Sequence, residues 1–180
     1  YPNTHLLRTP FFIWYKTMIN NINAKAAIDD CNAELDRITG IINGVGSTSP
    51  LSGYLTKYSL IRICGTLEVC YKTIIADYYE NAAPQLGQFI GYHLRDASMN
   101  PTYENICQAL KRFDDNKNQN FKSAITTLPN NESLKEAFSV LNRERNNVAH
   151  GTNSTLSFND MKDRFSEAIQ IIEILDTIMV

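Results

Sequence analysis

The chain has 180 residues, 43% of them hydrophobic and 20% charged, ordinary values for one globular domain large enough to bury a core. A net charge of −2 excludes the overall basic field that marks a tight, non-specific nucleic-acid binder, so any RNA contact has to come from a local patch. No apolar run reaches the ~20 residues of a membrane helix and no secretory signal is visible, which predicts a cytoplasmic protein with no membrane partner.

The first residue is Tyr1 rather than methionine, so the chain reads as a single domain over 1–180 trimmed of an N-terminal flank. Thr9-Pro10 has the form of an N-cap followed by proline at the first helical position. Apolar residues then recur at helical spacing through Phe11, Trp14, Met18, Ile22, Ala26, Leu35, Ile38 and Ile42, predicting a first long helix. Residues 44–50, Gly-Val-Gly-Ser-Thr-Ser-Pro, predict a loop. A second long helix is expected from about Ser52 to Glu80. Its stripe is Leu60, Ile63, Leu67, Cys70, Ile74 and Tyr78, widened by Cys64, Tyr71 and Ile75.

Shorter pieces follow. Pro84 opens one through Phe89, Ile90 and Leu94, Asn100-Pro101 breaks it, and Tyr103, Ile106, Cys107 and Leu110 predict another. Residues 114–120 read as a polar, asparagine-rich link, with a short segment from Phe121 to Leu128 before Pro129. Asn131 is the expected N-cap of a helix running from about Ser133 towards Gly151. A final helix from about Asn159 to Met179 carries Met161, Phe165, Ala168, Ile172, Leu175 and Met179. No strand pattern of convincing length appears, and the expected class is an all-α bundle: two long N-terminal helices, short middle helices and two closing helices. Cys31, Cys64, Cys70 and Cys107 lack metal-ligand spacing and read as reduced core residues.

The chemistry gathers in 143–151, Arg-Glu-Arg-Asn-Asn-Val-Ala-His-Gly. Leu134, Phe138, Leu141 and Val148 repeat at three- and four-residue steps, and Arg145 falls on the same row. A guanidinium is costly to bury unpaired, so a core seam has no packing reason to carry one. His150 comes five residues later and is followed by Gly151, a good helix terminator. In an unbroken helix His150 would lie roughly 140° from Arg145 but only about 40° from Asn146. Asn146 is thus placed to orient the imidazole, while fraying at Gly151 would swing the ring towards the arginine.

Arg145-Asn146-x-x-x-His150 resembles the Arg-x(4–6)-His signature of HEPN domains, all-helical prokaryotic modules of which many are metal-independent ribonucleases. The text around it, LNRERNNVAHG, is most similar to the RiboL-PSP-HEPN subgroup, and YSLIRICGTLEVCYKTIIADYY resembles that subgroup's long helix with its Leu-Glu pair. The likeness spans roughly Lys57 to the C-terminus. It implies an endoribonuclease without metal or other cofactor, acting in prokaryotic defence or toxin–antitoxin stress response. RNA is the implied substrate, a homodimer with one composite site the implied assembly, and a protein antitoxin or inhibitor a further implied partner. In that reading His150 is the base that activates a 2′-hydroxyl and Arg145 the cation on the phosphorane. The products would carry 2′,3′-cyclic phosphate and 5′-hydroxyl ends, and the seam bearing Arg145 would be the dimer interface.

Asn146 matches the polar position after the family's arginine and is carried over as orienting or phosphate-contacting. Glu68, in the Leu-Glu pair, and Arg143, seven residues before His150, are supporting candidates; an ion-paired glutamate and a solvated arginine are their plainer readings. Lys111 and Arg112, with Lys117, Lys122, Phe113 and Phe121 nearby, form a weak RNA-binding candidate or a solvated link. Family toxins paired with nucleotidyltransferase antitoxins often carry a tyrosine two residues after the histidine; Thr152 stands there, so that modification finds no acceptor. His5 and His93 are isolated, and Asn153-Ser154-Thr155 spells a glycosylation acceptor without meaning in a cytosolic protein. The competing reading is a non-catalytic HEPN-like module that binds RNA or protein. A third, a plain helical domain with a coincidental motif, predicts Arg145 and His150 pointing apart or locked in unrelated ion pairs.

Overall fold

The computed structural model describes residues 18–180, which form seven α-helices and no strand. The predicted Thr9-Pro10 helix start, with Phe11 and Trp14, lies outside the described residues. Within them α1 (Ile22–Val45) is capped by Asn21, whose side chain accepts from the Ala24 amide at 2.9 Å. Its buried row is Ala24, Ile28, Cys31, Leu35, Ile38 and Ile42. This corrects the front of the predicted stripe: Met18 precedes the helix, and Met18, Ile22 and Ala26 are exposed. The core face of the first turns is carried by Ala24, Ile28 and Cys31 instead, and the predicted row joins it from Leu35 onwards.

Gly46, at φ +88°, ends α1 in a conformation that disfavours a side chain, and Ser49 caps α2 (Pro50–Ala82), with Pro50 at its first position. The predicted loop is therefore shorter, because α1 runs through Val45 and Pro50 is already helical. Asn21 binds Asp77 at 2.8 Å and Glu34 binds Arg62 at 2.9 Å, so α1 and α2 run antiparallel. Every predicted stripe residue of α2 is buried except Tyr78, which is partly so, and α2 touches α1, α6 and α7. It is the central helix.

After α2 the chain makes a 3-10 turn (Pro84–Leu86), a single α-turn, α3 (Gly87–Ile90), and a π-turn (Gly91–Arg95). Ile90 and Leu94 are buried there, and Arg95 ties the piece back to Asp77 and Glu80 at 2.6 and 2.8 Å. α4 (Tyr103–Phe113) and α5 (Asp115–Thr126) follow, joined only by Asp114. The predicted polar link at 114–120 is thus a helix. The Asp114 carboxylate accepts from the Asn116 and Lys117 amides, while Asn118, Phe121 and Ile125 face inwards; capping and packing override the weak helix propensity of asparagine.

α6 (Asn131–Ala149) begins one residue earlier in its cap than expected. Asn130 is the cap residue without a side-chain bond, and Asn131 donates its amide to the Leu128 carbonyl at 2.9 Å. α7 (Phe158–Met179) opens with a reciprocal capping box between Ser157 and Asp160. Its predicted row is buried throughout. Ser133 on α6 reaches Glu167 on α7, and Lys162 on α7 reaches Asp36 and Thr39 on α1. The four long helices share one continuous apolar core with the shorter middle helices. All four cysteines are free and buried, and burial pushes the Cys64 and Cys70 thiols up to about 12. Among the described residues no helix is long and apolar enough to cross a membrane.

Candidate functional site

Leu134, Phe138 and Leu141 are fully inside the core, and the Leu141 carbonyl accepts from the Cys64 thiol of α2 at 3.5 Å. The seam expected to meet a second copy is therefore filled by the chain's own helices. Only its last turn, with Arg145 and Val148, reaches the surface region, both half-buried.

Arg145 has no carboxylate within ion-pair distance among the described residues. Its Nη1 instead donates to two neutral amide oxygens, those of Asn100 and Asn146, each at 3.2 Å. Asn146 thus holds the arginine, and its amide is not bonded to the imidazole, as the helical wheel had suggested. A guanidinium held by neutral acceptors keeps its full charge and spare donors for an anion.

Three helices converge on the 97–100 loop beside it. Lys72 of α2 donates to the Ala97 carbonyl, Tyr71 donates to the Met99 carbonyl at 3.1 Å, and Arg112 of α4 lies 3.9 Å from the Met99 sulfur. Glu68 is ion-paired to Lys72 at 2.6 Å. Burial raises the Cys64 thiol, Arg145 pulls it down and Glu68 pushes it up, so both charges act on the contact between α2 and α6. Arg145, Asn146, Glu68 and Arg112 are thereby brought to one region. Lys111 and Arg112 are exposed on the last turn of α4, whereas Lys117 is drawn aside to the Ile178 carbonyl and the Tyr78 ring. Arg143 is 63% exposed and lies 3.5 Å from the Glu144 carboxylate.

His150 caps α6. Its backbone amide donates to the Asn146 carbonyl at 3.0 Å, while the ring is exposed and makes no hydrogen bond among the described residues. Gly151 follows at φ +83°, with its amide on Val148 and that of Thr152 on Asn147, at 3.1 and 2.9 Å. That is a Schellman turn, and it needs the left-handed residue that glycine supplies. Arg145 and His150 are separated by roughly 7.5 Å along the helix axis at 1.5 Å per residue. Both belong to the C-terminal end of α6, but no hydrogen bond and no shared side-chain partner joins Arg145 to the imidazole among the described residues.

Glu144 is the residue that sequence reasoning missed. Its side chain is 2% exposed and accepts from the Ser154 hydroxyl, the Thr155 amide and the Thr155 hydroxyl at 3.1, 2.8 and 3.1 Å. Burial alone would raise this carboxyl, but the bonds from Thr155 and Ser154, helped by Arg143, hold it below the ordinary range. One buried carboxylate so pins the loop after His150 to α6. A signal was present: Leu141, Glu144 and Val148 continue the buried row as well as Arg145 does.

The described residues thus form a helical bundle whose penultimate helix ends in Arg145, which has no carboxylate partner among them, and an exposed His150. The family model described as RiboL-PSP-HEPN matches residues 26–180, and the chain belongs to that family. No curated protein and no solved structure matches it.

Proposed function

We propose that this chain is a metal-independent endoribonuclease of the HEPN type, acting in prokaryotic defence or toxin–antitoxin stress response. The observation that carries the reading is Arg145: a half-buried guanidinium on an apolar row, bonded among the described residues to neutral amides alone, five residues before an exposed histidine. Its forked donors suit two phosphate oxygens, and charge developing on a phosphorane gains most from a donor already fixed in place. His150 takes the proton of the 2′-hydroxyl as its oxygen attacks the adjacent phosphorus, and the P–O5′ bond breaks with the 5′-oxygen taking a proton from water to leave as the 5′-hydroxyl. Asn146 positions the arginine. Glu68, neutralised by Lys72, is not the base in this scheme.

Because the nucleophile belongs to the RNA itself, a single-stranded RNA is expected to be cut while its fully 2′-O-methylated counterpart stays intact. Cleavage of both, followed on a denaturing gel, would mean that water rather than the 2′-oxygen attacks. The proposal includes a homodimer, an assembly common among HEPN modules. Light scattering is expected to report twice the 20.4 kDa chain mass, and a monomer at high concentration would remove the composite site.

A further inference from the structure

A cleft of about 320 Å³ opens where the turn between α1 and α2 meets the loop between α6 and α7. Ser47, Thr56 and Lys57 line it from the first side and Asn153, Ser154 and Ser157 from the second. Ile42, Leu156 and Phe158 are the apolar part of its lining, and among the described residues no acidic side chain lines it and Lys57 is its one charge. Several of these groups are already engaged: Thr56 donates to the Ser52 carbonyl, Ser154 to Glu144 and Ser157 to Asp160. The Ser47 hydroxyl, the Asn153 amide and the Lys57 ammonium have no hydrogen-bond or ion-pair partner among the described residues. A neutral wall, one unpaired cation and two spare donors fit an anion with several oxygens.

The position is as informative as the composition. Asn153 is three residues beyond His150, so their Cα atoms lie within about 11 Å at the reach of an extended chain. The wall is also firm, because Glu144 and the Schellman turn fix the loop that carries it. α2 starts beside the opposite wall with no acidic side chain in its first turn, so its amino end adds positive potential there; Asp160 already occupies the start of α7.

We propose that this cleft is a subsite for an RNA backbone phosphate neighbouring the one cleaved, with Lys57, Ser47 and Asn153 as its donors. The assignment rests on the ribonuclease reading above. A phosphate seated here fixes the strand in register beside His150, which lowers the concentration needed for cleavage without touching the reacting atoms.

The test uses a fluorescent 2′-O-methyl oligonucleotide, whose binding is read by anisotropy with no cleavage. Lys57→Ala is expected to weaken binding several-fold at moderate salt and to reduce the slope of log affinity against log salt by about one, as for a lost phosphate contact. Lys57→Arg should restore both. On cleavable RNA, Lys57→Ala should raise KM and leave kcat unchanged. Position 57 is a half-buried helical site where alanine is well tolerated, and a thermal melt checks the fold. Unchanged affinity and slope in a folded Lys57→Ala protein would overturn the subsite. If the parent cuts no RNA yet binds the probe through Lys57, the ribonuclease reading fails, and with it the place beside a cleaved phosphate, while the cleft remains an RNA-phosphate site.

Discussion

Replacing His150 by alanine is expected to lower RNA cleavage by about 10²–10⁴-fold, the range lost with a positioned general base. The melting temperature should stay within about 2 °C of the parent, since exposed substitutions cost under about 0.5 kcal/mol and each kcal/mol shifts a chain of this size by about 2–4 °C. The imidazole is exposed and bonds to nothing among the described residues, so the fold has little to lose. The competing role is that of a helix cap, where an imidazolium gains about 0.3–1 kcal/mol from the carbonyl end of α6. A variant that melts earlier but still cleaves would assign His150 to that role. Activity and melting, measured on the same preparation, separate the two.

Glu144→Ala is expected to be the costlier change for the fold. It strands the Thr155 amide and two hydroxyls that now bond a buried carboxylate. Hydrogen bonds to charged groups contribute about 1.5–3 kcal/mol each but do not add in full, so a loss of about 2–4 kcal/mol is expected. At about 2–4 °C per kcal/mol this lowers the melting temperature by roughly 4–16 °C. The pH dependence has a definite sign. In the folded protein the carboxyl is held below its ordinary value of 4.5, so its contribution is present above that value and fades as pH falls through the lower folded one. Parent and Glu144→Gln should therefore differ most near neutrality and converge in acid, as thermal melts across pH 3–7 would show. A constant gap would mean that Glu144 contributes by shape and not by charge.

Much of the fold was legible because α2 and α7 bury rows with a clean helical period, and neither depends on a distant partner for its phase. α1 was read out of phase at its front, since its cap at Asn21 looks like one more asparagine in a helical run. The helix over Asp115–Thr126 was hidden for the opposite reason: local propensity argues against it, and Asp114 with the core-facing Phe121 and Ile125 decides. In the site, Arg145 stood out as a charge on an apolar row, and among the described residues it has no carboxylate partner there. Asn100, which holds it, is 45 residues away, and Ser154 and Thr155, which bind Glu144, are met only because Gly151 turns the chain back. Such partners have no local sequence signature. The buried seam follows from the same limit, since periodicity marks an apolar row but not which helix covers it.

The measurement that bears most directly on the central claim is cleavage of a mixed RNA pool in EDTA by the parent and by His150→Ala, with the new ends identified. The account predicts cleavage by the parent alone, leaving 2′,3′-cyclic phosphate and 5′-hydroxyl termini. No cleavage by a folded parent, or equal cleavage by both proteins, would contradict it.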